Sequence, residues 1–275
     1  MTERLADVSA RIEGIRQLGS VVNAMKGIAA ARARTARGQL AAVDSYTATI
    51  SAAMARILGP DAPAAPTGKG RTGLLVFLAE QGFAGAFSER VLDTLGDALR
   101  TATLLLVGTR GLSITAARGI EPLWQGALPS HSPGIPKLAD TLTKALYQAM
   151  AAGRFERVDM VHARWEHGQP QVLRRALFPV DLSEFPAPDG NRPLTQLPPD
   201  ALRASLGADY VHARICQAAL HAFAAENEAR MQAMTAAGTQ IASELAMFEA
   251  LLRRVRQEAI TAEIIELGTG ADSVG

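Results

Sequence analysis

Apolar residues near the two ends of the chain recur at alternating steps of three and four positions. In the first stretch the repeating positions are Leu5, Val8, Ile12, Ile15, Val22, Met25 and Ala29. In the last stretch they are Met231, Met234, Gly238, Ile241, Leu245, Phe248, Leu252, Val255 and Ala259. This spacing is typical of coiled-coil helices, in which an apolar stripe packs against a partner helix. The pattern therefore predicts two helices that pack on each other.

Proline is confined to the middle of the chain. All fourteen prolines lie between Pro60 and Pro199, and a proline breaks the interior of a helix. Each flanking stretch is thus free to form one long helix, about 85 Å at a rise of 1.5 Å per residue. Because the two helices lie at opposite ends of the chain with a compact block between them, we expect them to wind around each other antiparallel, as a terminal hairpin.

The middle block has a different pattern, in which short uninterrupted apolar runs alternate with helical spacing. Such runs predict strands that are buried on both faces of a parallel sheet. The predicted strands cover residues 73–79, 103–107, 158–163 and 171–180, and the predicted helices cover 88–99 and 135–151. Strands that alternate with helices indicate a small α/β domain with a mainly parallel sheet.

The expected fold class is therefore α/β with a long coiled coil. Its predicted parts are an N-terminal coiled-coil helix over 1–59, an α/β base domain over 70–182, a loop over 183–205 and a C-terminal coiled-coil helix over 206–267 that packs with 1–59 as one shaft. The proline-rich stretches 61–69 and 181–199 are interpreted as a linker and as a loop that leads back into the terminal helix.

Composition narrows the classes of protein that the chain fits. Hydrophobic residues make up 48% and charged residues 20%, which supports a folded core. A net charge of +1 gives no reason to expect nucleic acid or a membrane surface as the partner. The first residues include no apolar signal segment, and no stretch reaches the roughly twenty apolar residues that span a bilayer. The single cysteine, Cys216, is interpreted as a core thiol in a reducing compartment.

A turn in the middle block is the nearest approach to a nucleotide-binding motif. Residues 80–85 (E-Q-G-F-A-G) follow the first predicted strand, and glycines there let backbone N–H groups approach an anion. The spacing is G-x-x-G rather than G-x-G-x-x-G, which is a weak signal. We interpret Gly82 and Gly85 as a structural turn, with an α/β nucleotide-binding module as the alternative. No catalytic residue, metal or cofactor is expected, because the histidines lack ligand spacing and no nucleophile motif is present.

Arginines form a cluster near each end of the chain. Arg32, Arg34 and Arg37 lie in a stretch that has no acidic residue from Gly14 to Val43, and the second cluster is Arg253, Arg254 and Arg256. A basic helix lies along nucleic acid, along an acidic protein surface, or simply in solvent. The residues alone leave these interpretations open, so a nucleic-acid-binding module with a coiled-coil arm is a second alternative.

Four segments form motifs that are spread over essentially the whole chain. Residues 23–26 (N-A-M-K) with 29–31 match most of K-A-M-x-x-V-A-A-x-K, and residues 80–87 stand where D-R-G-L-C-G-G-F is expected. Glu226 with 229–234 matches S-E-x-x-A-R-M-x-A-M, and 256–263 matches A-R-Q-x-x-I-T-x-E. In this order the motifs resemble those of the gamma subunit of F-type ATP synthases. Departures at Asn23, Glu80, Gln81 and Arg253 indicate a divergent or paralogous member.

This resemblance implies a mechanical function. In the family, the hairpin stands as a rotor shaft inside a ring of three alpha and three beta subunits, while the α/β base joins epsilon and the membrane c-ring. The shaft couples ion-driven rotation to ATP synthesis or hydrolysis and has no active site or cofactor of its own. The resemblance implies no nucleic-acid partner and a peripheral location at the cytoplasmic face of the inner (plasma) membrane. It leaves open whether H⁺ or Na⁺ is the coupling ion.

The resemblance also implies which residues contact the partners. Arg256, Gln257 and Thr261 would face an acidic loop of beta, with Met25 and Lys26 at the same level on the neighbouring helix. Additional shaft contacts are expected from Arg32, Arg34 and Arg254. Residues 199–210 would lie near the foot, against epsilon and the c-ring.

Overall fold

The computed structural model of the chain describes residues 2–58, 70–180 and 194–272. Its helices are α1 (Thr2–Leu58), α2 (Phe87–Asp93), α3 (Ala98–Thr101), α4 (Arg110–Ala117), α5 (Ile135–Ala151) and α6 (Pro199–Asp272), with a 3-10 turn at Ser132–Gly134. Its strands are β1 (Thr72–Phe77), β2 (Thr103–Val107), β3 (Trp124–Gly126), β4 (Arg157–Glu166) and β5 (Gln169–Phe178). Contacts divide the chain into a coiled-coil unit, up to Ile28 and from Met231 onward, and a sheet unit, Ala29–Arg230.

In the coiled-coil unit, the predicted apolar stripes are the surfaces that pack together. Val8, Ile15 and Val22, which are seven residues apart, are buried on α1, and Val255 is buried on α6. Arg16 Nη2 lies 2.8 Å from Glu249 Oε1, and Arg4 Nη1 lies 3.9 Å from Glu258 Oε2. Residue numbers thus rise along one helix as they fall along the other, so the predicted antiparallel coiled coil is confirmed.

The sheet unit contains one five-stranded sheet in the order β3-β2-β1-β4-β5. The first four strands are parallel, and β5 pairs antiparallel with β4. Side chains of β1 alternate between two cores: Leu74 and Val76 pack with α2, α3 and α4, whereas Leu75 and Phe77 pack with α5 and with segments of α1 and α6. The mainly parallel α/β domain is confirmed. The helices that connect β1 to β2 and β2 to β3 pack on one face of the sheet, and α5, which leads to β4, packs on the other, so the connections change face between β1 and β4.

Some element bounds differ from those predicted. The helix predicted over 88–99 is divided into α2 and α3, because Gly96 between them has a φ of +48°, which a helix cannot contain. The short elements α4 and β3 were not predicted, since neither is long enough to show a clear period. Helix α6 begins at Pro199 instead of residue 206, because proline is accepted in the first turn of a helix. The predicted linker over 61–69 and residues 181–193 of the predicted loop lie outside the described residues.

A glycine in α1 offers a test of the helix assignment. Gly14 is exposed in mid-helix, and a Cβ atom added to it would meet nothing within 4 Å. We expect Gly14→Ala to stabilise the chain by about 0.5–1 kcal/mol, because alanine loses less backbone entropy in a helix. The urea midpoint of the full chain measures this effect. Gly108→Ala is the contrast and should destabilise, since Gly108 has a φ of +103° and a Cβ would lie 2.3 Å from the Leu78 carbonyl oxygen. An unchanged or lower midpoint for Gly14→Ala would contradict the assignment.

Candidate functional site

The predicted contact residues near the end of α6 are on the surface of the coiled-coil unit. Arg254, Arg256, Gln257 and Thr261 are exposed, while Val255 between them is buried in the helix interface. Thr261 Oγ1 donates to the Gln257 carbonyl oxygen at 2.9 Å. Three large apolar side chains, Ile260, Ile264 and Ile265, are also exposed, at 58%, 64% and 60%. We call Arg256, Gln257, Ile260, Thr261 and Ile264 the end patch.

Met25 and Lys26 are not at the level of the end patch, contrary to the expectation. Lys26 lines a groove with Met234 and Thr235 on α6, whereas the part of α1 that faces Glu258 is Arg4. Twenty-two residues of α6 separate Met234 from Arg256, which is about 33 Å at 1.5 Å per residue. The antiparallel register causes this separation, because it pairs the start of α1 with the end of α6.

Met25 and Lys26 lie beside exposed apolar side chains on one face of α1. Leu18, Val21 and Ile28 are more than half exposed, and Met25 is half-buried between them. Their spacing of three, four and three residues places them on one face of α1. Large apolar side chains in a continuous exposed line indicate a surface that a partner covers. We call Leu18, Val21, Met25, Lys26 and Ile28 the middle patch.

Two arginines of the predicted basic cluster have partners inside the sheet unit. Arg32 Nη1 donates to Gln81 Oε1 at 2.9 Å, and Arg37 Nη2 lies 3.0 Å from Glu228 Oε1, whose side chain is buried. Arg34 is exposed. The cluster is thus partly neutralised within the chain, although Arg37 remains exposed, as Arg34 is.

The glycine turn after β1 lies at the point where the crossovers of the sheet change face. In open α/β sheets this point, at the carboxyl ends of the strands, is where ligands bind. The backbone N–H groups of Glu80 and Gln81 there donate to the Glu226 carboxylate at 3.1 and 3.0 Å. Glu226 of α6 is buried, so a carboxylate of the chain occupies backbone donors that a bound anion would need.

Arg230 completes the hydrogen bonding around this carboxylate. Its guanidinium donates to the Gly82 carbonyl oxygen at 2.9 Å, the Gln81 carbonyl oxygen at 3.0 Å and Asn227 Oδ1 at 3.0 Å, and it also pairs with Glu226. Arg230 is buried, and buried charges are tolerated when such hydrogen bonds satisfy them. We call Glu226, Asn227 and Arg230, together with the backbone of 80–82 and the Arg32–Gln81 bond, the helix anchor.

The helix anchor leaves no room for a nucleotide. The cavity beside it, which Arg32, Ser130 and Arg230 line, has a volume of about 10 Å³. A single water needs about that much. The backbone N–H groups of Glu80 and Gln81 are also bound already, so the nucleotide-binding alternative is disfavoured.

Glu80, one of the departures from the motif, forms hydrogen bonds with residues that follow neighbouring strands at the same edge of the sheet. Its carboxylate accepts hydrogen bonds from Thr109 N at 3.0 Å, Thr109 Oγ1 at 3.0 Å and Leu128 N at 2.9 Å. Thr109 follows β2 and Leu128 follows β3, so one carboxylate joins the ends of three neighbouring strands. Sequence reasoning missed these roles, although Glu226 and Arg230 stand four residues apart in an alanine-rich stretch, which was an available signal.

Two histidines are buried against each other in the sheet unit. The rings of His162 on β4 and His221 on α6 are 5.9 Å apart, and His162 is 5% exposed. Burial, with His221 and Arg164 nearby, lowers the pKa of His162 to about 3. Burial and Arg164 also lower the pKa of His221, while Asp44 and Glu166 oppose this shift. Burial likewise raises the pKa of Cys216 to about 11, which keeps that core thiol protonated.

Acid should therefore destabilise the sheet unit. The folded chain holds His162 neutral, whereas the unfolded chain protonates it below pH 6.5. The contribution of His162 to the free energy of unfolding is therefore constant above that pH and falls as the pH decreases toward 3. We expect His162 to account for about 2 kcal/mol of lost stability at pH 5 relative to pH 7. Urea unfolding at both pH values tests this. His162→Gln should reduce the loss, the exposed His131→Gln should not, and equal losses in the two variants would contradict the prediction.

Membrane-spanning helices and metal-binding clusters are two further features that a functional surface could include. Among the described ranges, no helix combines the length and apolar character that crossing a membrane requires. Residues 2–58, 70–180 and 194–272 also contain no group of three or more acidic, histidine or cysteine side chains placed to hold a metal ion. The end patch and the middle patch are the candidate contact surfaces, and the helix anchor is an internal structure.

Comparisons with known proteins agree over nearly the full length. The family model described as ATP synthase matches residues 4–274. The chain is 27% identical to the ATP synthase gamma chain of Moorella thermoacetica and 28% identical to that of Gluconobacter oxydans, in each case over 98% of this chain and 99% of the relative. Among solved structures, a chain of the Euglena gracilis mitochondrial ATP synthase (OSCP/F1/c-ring, rotational state 3) aligns with a TM-score of 0.70 at 15% identity, covering 100% of this chain and 95% of that one. A chain of its rotor in rotational state 1 gives 0.68 at 13% identity, covering 94% and 100%.

Proposed function

The chain belongs to the ATP synthase family, whose model matches residues 4–274, and we propose that it acts there as the gamma subunit, the rotating central shaft. It is a non-catalytic subunit of the complex. The observation that carries this function is the antiparallel coiled coil, whose apolar stripes are buried between α1 and α6 while cations and large apolar side chains remain exposed. Such a surface is suited to partners that surround it.

The proposed partners are three alpha and three beta subunits around the coiled-coil unit, and epsilon and the c-ring at the sheet unit. The similar structures belong to a rotor and to an OSCP/F1/c-ring assembly, which supports this arrangement. Leu194 and Leu197, just before α6, are exposed apolar residues, which supports a partner at the foot formed with residues 199–210. The complex would hold the chain at the cytoplasmic face of the membrane, whichever of H⁺ or Na⁺ it moves.

The end patch is proposed to contact beta. Arg256 combines a fixed guanidinium fork with neighbouring Gln257 and Thr261, and such a fork binds a carboxylate through two hydrogen bonds and releases it intact. Ile260 and Ile264 add apolar area beside these polar groups. No covalent chemistry is needed, because the shaft acts by binding the conformations of beta with different affinities as it turns.

The middle patch is proposed as a separate contact with the same ring of subunits. Lys26 supplies the charge and Leu18, Val21 and Ile28 the apolar area. Arg34 and Arg254 are proposed as additional shaft contacts, since both are exposed. Arg32 contributes to the helix anchor instead, through its bond to Gln81.

Co-expression with the alpha and beta subunits tests the proposed function. We expect an assembly of three alpha, three beta and one copy of this chain, identified by its mass, whose ATP hydrolysis depends on this chain. A chain that purifies apart from alpha and beta, or an assembly with the same activity without it, would contradict the proposal. Steep salt-dependent binding to DNA or RNA by the free chain would favour the nucleic-acid alternative instead.

A further inference from the structure

Helix α6 is held at the sheet by one helical turn of charged hydrogen bonds. Glu226 and Arg230 are four residues apart and therefore lie on one face of the helix. Glu226 accepts the N–H groups of Glu80 and Gln81, and Arg230 donates to the carbonyl oxygens of Gln81 and Gly82. One turn of the helix thus binds both the donors and the acceptors of the turn after β1.

Helix α1 is attached to the same turn. Arg32 Nη1 donates to the side-chain oxygen of Gln81 at 2.9 Å, and Arg37 of α1 lies 3.0 Å from Glu228 of α6. Gln81 therefore binds α6 through its backbone and α1 through its side chain. Three parts of the sheet unit, namely α1, α6 and the turn, meet in one polar network.

Alanines form much of the rest of the buried α6 surface at this level. These alanines are at positions 218, 219, 222, 224 and 225, and the larger Leu220, His221 and Phe223 are buried among them. Apolar packing is non-directional, and small side chains interlock little, so the alanine contacts resist rotation of the helix about its own axis only weakly. Hydrogen bonds to charged groups need a defined geometry. A rotation of α6 by one residue, about 100°, would carry Glu226 and Arg230 away from the turn.

We propose that the helix anchor is the junction through which torque passes between the sheet and the two long helices. This inference rests on the proposed rotor function. Glu226, Arg230, Arg32 and Gln81 are positioning residues, because they fix the rotational setting of α6 and α1 against the sheet and touch no nucleotide. A buried ion pair adds little stability compared with apolar packing, but the hydrogen bonds of Glu226 and Arg230 to the turn require one arrangement of α6. Torque transmission requires such a single arrangement.

The test uses the complete complex, including its membrane sector, in sealed vesicles. Glu226→Gln keeps the size of the side chain and removes its charge, and Gln81→Met removes only the acceptor of the Arg32 bond. Asp93→Asn is the control, since it breaks the exposed Arg118–Asp93 pair in the same unit. ATP hydrolysis is measured together with the membrane potential from a potential-sensitive dye, which responds to either H⁺ or Na⁺ transport.

Slippage at the junction would separate hydrolysis from transport. For Glu226→Gln we expect hydrolysis within about twofold of the unaltered complex, and a membrane potential per ATP hydrolysed that falls by about threefold or more. Gln81→Met should show a smaller loss in the same direction, and Asp93→Asn none. The ratio is taken on assembled complexes only, so a reduced yield of the Glu226→Gln complex does not change it.

The outcomes separate the junction from the rotor function. If the unaltered chain supports no hydrolysis in the assembly, the rotor function itself fails. If the unaltered complex pumps and both Glu226→Gln and Gln81→Met pump with an unchanged ratio, the rotor function stands and the torque junction is overturned. A lower thermal stability of the variants with an unchanged ratio also overturns it, since that result assigns the anchor a role in folding alone.

Discussion

The double variant Arg256→Ala/Gln257→Ala is expected to reduce ATP-driven ion transport by the assembled complex about tenfold. Truncating a charged contact of an interface weakens binding by about that factor or more. Both side chains are exposed on α6, and their removal leaves the buried Val255 in place. The isolated chain should unfold within about 0.5 kcal/mol of the unaltered chain, since exposed positions contribute little to stability. Rates of hydrolysis and transport, with a urea titration of the isolated chain, measure both effects.

A matched control separates this contact from a general disturbance of the shaft. Gln240→Ala/Glu244→Ala also truncates two polar side chains of α6, which bond to each other at 3.3 Å and lie outside both patches. That control should keep normal transport. Normal transport by Arg256→Ala/Gln257→Ala would remove the end patch from the set of beta contacts, and loss of transport by both double variants would point to a weakened helix.

Because the two patches are far apart, we expect changes in the middle patch and in the end patch to act independently. Lys26→Ala should reduce transport several-fold, and its effect should multiply with that of Arg256→Ala/Gln257→Ala, because residues farther apart than about 10 Å and without shared partners act additively in free energy. The triple variant tests this. A triple variant no worse than the double variant would mean that the middle and end patches act as one contact after all.

The register that separates these patches could not be predicted from either helix alone. The seven-residue spacing of Val8, Ile15 and Val22 identifies the buried face of α1, and the structure confirms it. Spacing does not say which turn of α6 lies opposite, since several registers would bury equally apolar stripes. The pairing of Arg16 with Glu249 identifies the register. For that reason Met25 and Lys26 were expected near Arg256, whereas Lys26 lines a groove with Met234.

The sheet could be predicted because its elements are local patterns in the sequence. The helix anchor could not be predicted because it depends on contacts between distant parts of the chain. Strand β2 and helix α5 have the predicted bounds, because each is a continuous local pattern. The partners of Glu226 are backbone N–H groups about 145 residues away in the chain, and backbone groups leave no trace in the sequence. Glu80 and Gln81 depart from the family motif, yet the structure gives each a hydrogen-bonding role, with Thr109 and Arg32 as partners.

Replacing Arg230 should cause a larger loss of stability than removing any surface ion pair of the sheet unit. Arg230→Met is expected to destabilise the chain by about 3–5 kcal/mol, because it leaves the buried Glu226 carboxylate without its compensating charge. Two backbone carbonyl oxygens, of Gln81 and Gly82, also lose their donor. Urea unfolding of the full chain, followed by circular dichroism, measures the change in free energy.

A double-mutant cycle shows whether the loss comes from the pair itself. Glu226→Gln/Arg230→Met should be less destabilised than the sum of the single variants, because neither charge is then left alone in the interior. It should still be less stable than the unaltered chain by about 1–3 kcal/mol, since hydrogen bonds to the turn are weakened or lost. Asp93→Asn, at an exposed ion pair, should cost less than about 1 kcal/mol. If Arg230→Met costs no more than Asp93→Asn, the guanidinium does not hold α6 to the sheet, and the directional attachment of the helix must come from other contacts.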